Sequence, residues 1–203
     1  MAQHPLEPLN ADEFRQTAAT LRREGLISDS YRFAAIELKE PPKAAVKAWR
    51  AGDPVPRTSF AVLWDRLTNN TYEATVDLTG DKVVSFDHIP DVTPNFTHDE
   101  FNEVDEAMRA NPDVVAALAK RGFTNMDLIL IDVWTYGKAL MPEKYRDRRL
   151  GWCDLWARET YEGNPYGHHV SGLKRLVVMN SLELLEIEEH HDYGHPEVDC
   201  EYI

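Results

Sequence analysis

Of the eight histidines in this chain, His168, His169, His190, His191 and His195 gather in the last quarter, with Asp192 and Glu197 among them. Imidazole nitrogens and carboxylate oxygens are the donor set of a divalent metal site. The spacing argues against one. Adjacent histidines on a strand point to opposite faces, and the tail around Gly194-His195-Pro196 offers no regular element to fix ligand geometry. The expectation is a solvated polar tail and no metal.

Other reactive patterns are missing. The sequence contains no glycine-rich phosphate loop, no Gly-x-Ser-x-Gly elbow, no Cys-x-x-Cys pair and no His-Glu-x-x-His string, the spacings that phosphate binding, acyl transfer, thiol redox chemistry and zinc hydrolysis need. Acidic residues are plentiful but read as exposed positions on helices and strands. No nucleophile, base and oxyanion donor come together, so no catalytic residue is expected in this chain.

A formal charge of -13 repels nucleic acid and anionic membranes alike, which excludes both as partners. The densest basic group, Lys144 to Arg149, is interrupted by Asp147 and reads as a solvated loop. Two cysteines, Cys153 and Cys200, do not make a secreted disulfide framework. A reducing, cytoplasmic setting is expected, since no signal segment opens the chain and no apolar run approaches the roughly 20 residues that span a bilayer. Without secretion, the glycosylation-like strings Asn69-Asn70-Thr71 and Asn95-Phe96-Thr97 are accidental.

The elements show an internal repeat. Asn10-Ala11-Asp12-Glu13-Phe14 and Thr97-His98-Asp99-Glu100-Phe101 each place a side-chain oxygen at a helix N-cap and a Glu three residues later, the capping-box spacing. Leu9 and Phe96 precede the caps, placed to staple onto Phe14 and Phe101. The first helix should run from about Ala11 to Glu24, with Phe14, Ala18 and Leu21 on one face and Gly25 as its stop. The second passes through Val104 and Met108. Asn111-Pro112 then opens a further helix that carries Val114, Val115 and Leu118 and ends at Gly122.

Strand-length runs follow each helical start. The first set is Tyr31–Leu38, Ser59–Leu67, Thr71–Leu78 and Lys82–His88; the second is Leu128–Tyr136, Arg149–Glu159, Leu173–Met179 and Leu184–Glu189. Val76–Asp87 aligns with Val177–Glu188 at a constant offset, so Val76, Leu78, Val83, Val84 and Phe86 match Val177, Met179, Leu184, Leu185 and Ile187. A helix followed by antiparallel strands, twice, is the pattern of two α+β domains, each a helix covering a four-stranded sheet. Pro90 and Pro94 mark the junction, giving domains 1–92 and 93–203. In Gly151–Glu159, Cys153, Leu155 and Ala157 share one face while Trp152 and Trp156 share the other; such a strand needs cover on both sides.

Several strings resemble the amino-terminal region of the copper amine oxidases. They are His4-Pro5-Leu6-Glu7-Pro8-Leu9, Asn164-Pro165-Tyr166 through Val170-Ser171-Gly172, and Met179-Asn180 to Leu184-Leu185-Glu186-Ile187-Glu188. The resemblance implies two tandem cystatin-like domains that carry no chemistry themselves. In that family a later and larger domain holds copper and a topaquinone and converts primary amines to aldehyde, ammonia and hydrogen peroxide, usually in a homodimer. Neither the quinone-forming Asn-Tyr-Asp/Glu-Tyr string nor a copper-binding His-x-His occurs here, so this chain should be inactive alone and bind neither cofactor. Its end near Ile203 fits a piece of a longer protein. The resemblance also implies that Phe101 and Tyr166 belong to the wall of the substrate channel. A stand-alone binding module of two such repeats is the other reading; a coding sequence that continues past Ile203 into the quinone motif would exclude it.

Overall fold

The two predicted helix starts are capping boxes in the computed structural model, which describes residues 4–137 and 141–191. The Asn10 side chain accepts from the backbone N–H groups of Asp12 and Glu13, and the Glu13 carboxylate accepts from Asn10 N–H, opening α1 (Ala11–Arg23). The Thr97 hydroxyl and Glu100 carboxylate make the reciprocal pair that opens α3 (His98–Ala110), and Asn111 caps α4 (Pro112–Ala119). The ends match as well. Gly25 N–H donates to Arg22 and Leu26 N–H to Leu21; Gly122 N–H donates to Ala119 and Phe123 N–H to Leu118. This closure requires a left-handed residue, and Gly25 (φ 71°) and Gly122 (φ 88°) supply it.

The chain divides into two compact units, the first ending at Asn95 and the second beginning at Phe96. In the first, β1 (Tyr31–Leu38), β2 (Thr58–Asp65), β3 (Asn70–Asp77) and β4 (Lys82–Ile89) form an antiparallel meander in sequence order. A short helix, α2 (Lys43–Ala48), interrupts the β1–β2 connection without a sequence signal having marked it. Leu21 of α1 packs with Ala61, Leu63, Ala74 and Val76 of the sheet. The buried stripe of α1 is Thr17, Thr20 and Leu21, not the predicted Phe14–Ala18–Leu21, and Phe14 remains 39% exposed. The threonines can be buried because their hydroxyls are satisfied: Thr17 bonds Glu13 O and the Ser59 hydroxyl, and Thr20 donates to Asp81.

In the second unit, β5 (Ile129–Thr135), β6 (Leu150–Ala157), β8 (Leu173–Val178) and β9 (Glu183–Glu189) form the sheet, and β7 (His168–His169) pairs with β6. Among the described residues five strands thus stand where four are expected. The extra one is only two residues long, too short for any periodicity to reveal. Val104 and Met108 of α3 and Val114 and Leu118 of α4 pack with Ile131, Val133, Cys153, Leu155, Leu173 and Val177, the alternate residues that share one face of the sheet.

The hairpin repeat extends to its irregularity. In β3–β4 the register steps from Thr75↔Ser85 to Val76↔Val83; in β8–β9 it steps from Leu176↔Glu186 to Val177↔Leu184. Val84 and Leu185 are therefore the extra residues of equivalent bulges. The turns that follow β3 and β8 each carry a left-handed residue at the same aligned position, Asp81 (φ 50°) and Leu182 (φ 61°).

Each capping-box glutamate also reaches an arginine just before its unit's second sheet strand. Arg57 Nε meets Glu13 Oε1 at 2.7 Å, and Arg149 Nε meets Glu100 Oε1 at 2.9 Å. The second pair corrects two expectations. Arg149 is buried rather than part of a solvated basic loop, and Glu100 is buried rather than on an exposed helical face. The pairing offsets the cost of taking either charge into the interior. Lys144 and Arg148, in contrast, are partly exposed and pair with Glu186 and Glu183.

Candidate functional site: the outer face of the second sheet

Alternation that sends Val133, Cys153 and Leu155 towards the helices sends Asp132, Trp134, Trp152, Asp154 and Trp156 to the other side. Trp134 pairs in register with Trp152, and Asp132 with Asp154. The Trp134 indole N–H donates to Asp132 Oδ2 at 3.1 Å. Burial raises the Asp132 pKa, and the charge of Asp154 raises it further while the Trp134 bond opposes both. Here Trp134 is 50% exposed.

Tyr166 and His169 complete the aromatic surface at the far end of β6. Their rings lie 5.4 Å and 4.9 Å from that of Trp156, both edge-on. His169 Nε2 lies 2.7 Å from Asp154 Oδ1. Burial also raises the Tyr166 phenol pKa, although the residue is 46% exposed. At the other end Met141 and Tyr145 cover Leu150 and Val178. A recess of about 290 Å³ remains, lined by Thr135, Tyr136, Gly137, Trp152, Lys174, Leu176 and Glu188. Aromatic faces beside carboxylates suit an apolar or cationic group, yet this face presents no activated nucleophile. The Cys153 thiol is on the helix side, and burial pushes its pKa up to about 12.

The two predicted channel residues lie on different sides of this sheet. Tyr166 packs on Trp156 at the outer face, whereas Phe101 sits in the first turn of α3, its ring 6.2 Å from Phe96, against the core between helices and sheet. The staple reading of Phe96 and Phe101 thus has a direct geometric counterpart. Trp152 and Trp156 are visible in the sequence as one face of a strand; Trp134 joins them only through register. Of the histidines, His168 and His169 form β7 and His190 meets Glu188 at 3.4 Å. Asp192, His195 and Glu197 lie outside the described residues.

The two units correspond to two successive family domains: residues 10–86 match the AGAO-like N2 domain, and residues 99–200 match the copper amine oxidase N3 domain. The chain belongs to the copper amine oxidase family. It is 34% identical over 201 residues to the primary amine oxidase of Arthrobacter sp. (strain P1), covering 98% of this chain and 30% of that relative. The histamine oxidase of Arthrobacter globiformis is 28% identical over 210 residues, covering 99% and 29%. The fold matches that of a copper-containing benzylamine oxidase from Hansenula polymorpha with a TM-score of 0.71 at 16% identity, over 97% of this chain and 32% of that one. The chain therefore spans about 30% of the length of the curated relatives it matches, and what it contains is the family's amino-terminal, N2 and N3, part.

The described residues do not fit the family's copper. Among the described residues no group of three or more His, Cys, Asp or Glu side chains could hold a metal ion, and the sequence lacks both the His-x-His and the quinone-forming strings.

Proposed function

We propose that these two domains serve a copper- and topaquinone-dependent primary amine oxidase as its non-catalytic amino-terminal part. They pack against the catalytic domain of a homodimeric enzyme and border the route by which the amine arrives. The observation that carries this reading is the outer face of the second sheet, where Trp134, Trp156 and Tyr166 stand open to solvent in part. Indole and phenol rings gain most when a partner removes them from water, at about 25 cal/mol per Å² of apolar area, and a catalytic domain is the partner this family reading supplies.

Tyr166 is the better placed of the two proposed channel residues, because its ring is accessible and an aromatic face attracts an ammonium while accepting an apolar tail. Phe101 belongs to the other side of the sheet, so the two meet different stretches of the route or act from different subunits. The parent protein would carry out oxidative deamination to aldehyde, ammonia and peroxide; the 203-residue chain alone should release no peroxide from any primary amine. A cytoplasmic site is part of the same proposal.

The test is Tyr166→Ala in the complete enzyme. The ratio of kcat/KM for bulky and small amines should change several-fold, while copper and quinone content stay the same. An unchanged ratio for both Tyr166→Ala and Phe101→Ala would refute the channel role.

A further inference from the structure

Arg175 is the deepest charge in the second unit. On β8 it stands between Leu173 and Val177, both core residues, and opposite Cys153 of β6 and Ile187 of β9. Its side chain therefore points to the helix-covered face. The residue is 0% exposed, and among the described residues Nε, Nη1 and Nη2 all lack a hydrogen-bond partner. Burial lowers its pKa to about 10, so it remains a cation at neutral pH.

Arg121 is near enough for its charge to oppose that of Arg175. Its Nη2 donates to Gly172 O at 3.1 Å and to His190 O at 3.2 Å, but its buried Nε has no partner. Glu189 is the carboxylate whose charge acts on both arginines. It is half-exposed, already 3.1 Å from Lys120, and 3.5 Å from Arg121. Among the described residues three cations therefore share one carboxylate, and none of the Arg175 nitrogens bonds to it.

An unpaired guanidinium in an apolar core is strongly unfavourable. The chemistry of the site identifies its guest. The unused nitrogens of both arginines are all N–H donors, because a guanidinium has no acceptor, and the Cys153 sulfur opposite is a weak acceptor at most. A water molecule there would accept hydrogen bonds but find only the weakly accepting Cys153 sulfur for its own protons. An anion accepts only, and it also neutralises the excess charge. Enclosure restricts the guest to something small, and a singly charged ion loses less hydration than a dianion.

We propose that Arg175, with Arg121 beside it, forms an internal binding site for a small monovalent anion of the halide class, held between the β5–β9 sheet and α4. The ion acts as a structural counterion for the second unit, independently of any amine chemistry.

The experiment uses the 203-residue protein in chloride and in gluconate at one fixed ionic strength. Chloride should raise the Tm of the second unit by about 5 °C along a saturating curve. The ³⁵Cl NMR line should broaden on adding protein and sharpen again with excess bromide. Arg175→Met should abolish both responses and be at least as stable in gluconate as the unaltered chain. Identical melting in the two salts, or a chloride response that persists in Arg175→Met, would overturn the proposal. Should that variant not fold, bromide-soaked crystals of the unaltered protein decide: an anomalous peak beside the Arg175 guanidinium supports the site, and its absence rejects it.

Discussion

The two units solve one problem with different chemistry. Each must hold a capped helix against an antiparallel sheet, and each ties the capping-box glutamate to an arginine at the start of its second long strand. In the first unit that pair is at the rim, with Arg57 and Glu13 side chains 8% and 13% exposed; in the second, Arg149 and Glu100 are each 2% exposed. The hairpin turn differs in the same direction. Asp81 accepts from Gln16, Thr20 and Arg23 of α1, whereas Leu182 at the aligned position packs against the hydrophobic core. In the first unit polar contacts near solvent add to the buried Leu21 in holding the helix, whereas in the second the corresponding groups are themselves buried. A shared backbone plan evidently tolerates either, provided each polar group that goes inside takes its partner with it.

The sharpest way to break this comparison is to remove the carboxylates. Glu100→Ala leaves Arg149 buried without its counterion and should destabilise the second unit by about 3–5 kcal/mol. Glu13→Ala should cost the first unit about 2 kcal/mol. Chemical denaturation followed by amide exchange in each unit separates the two effects; equal losses would mean that burial does not distinguish the pairs. Replacing both partners, Glu100→Leu with Arg149→Met, should cost less than Glu100→Ala alone, because no charge is stranded.

A smaller difference is expected at two left-handed glycines. A Cβ on Gly172 (φ 69°) would lie 2.6 Å from His191 O and 2.9 Å from His190 O, while one on Gly25 (φ 71°) meets nothing within 4 Å. Gly25→Ala should therefore cost only the backbone preference, about 1 kcal/mol, and Gly172→Ala about 3 kcal/mol because backbone must move as well. Thermal melts of the two variants measure this directly.

The smallest effect is in acid. In the first unit, the pKa of Glu13 is lowered chiefly by its bond from Arg57 and that of Asp81 by bonds from Gln16, Thr20 and Arg23; Asp65 is lowered too, its hydrogen bonds outweighing burial. In the second, Glu186 and Glu189 are lowered by Lys144 and Lys120, but Asp132 is raised by burial. A lowered folded value gives stability that is present above the ordinary carboxylate range near pH ~4 and lost as pH falls through the folded value; a raised one works in reverse. The first unit should accordingly lose more stability between about pH 5 and about pH 2. Asp81→Asn keeps a residue that tolerates φ > 0 and should flatten that slope. A steeper acid loss in the second unit, seen by unit-resolved amide exchange, would reverse the comparison.

The second unit also contains the surface proposed to matter for function, and its parts were unevenly legible. Trp152 and Trp156 are two apart from Asp154 on either side, so their shared face follows from strand geometry alone. Trp134 becomes their neighbour through the register of β5 with β6, and Tyr166 through a loop whose path no local pattern encodes. Phe101 shows the opposite case: its spacing from Phe96 already contained the staple that the structure displays.

By itself, the sequence determined the features whose cause is local. Capping boxes, glycine helix ends, strand alternation and the repeated hairpin depend on residues a few positions apart, and those contacts form whenever the local backbone does. Tertiary structure alone decided which charges go inside. Arg149 reads as one of several loop cations until the fold places Glu100 beside it, and Arg175 is buried only in the folded unit, where it shares the face of Leu173 and Val177. Burial and its compensation depend on partners distant in sequence, which is why the interior charges were the part that only the assembled fold could assign.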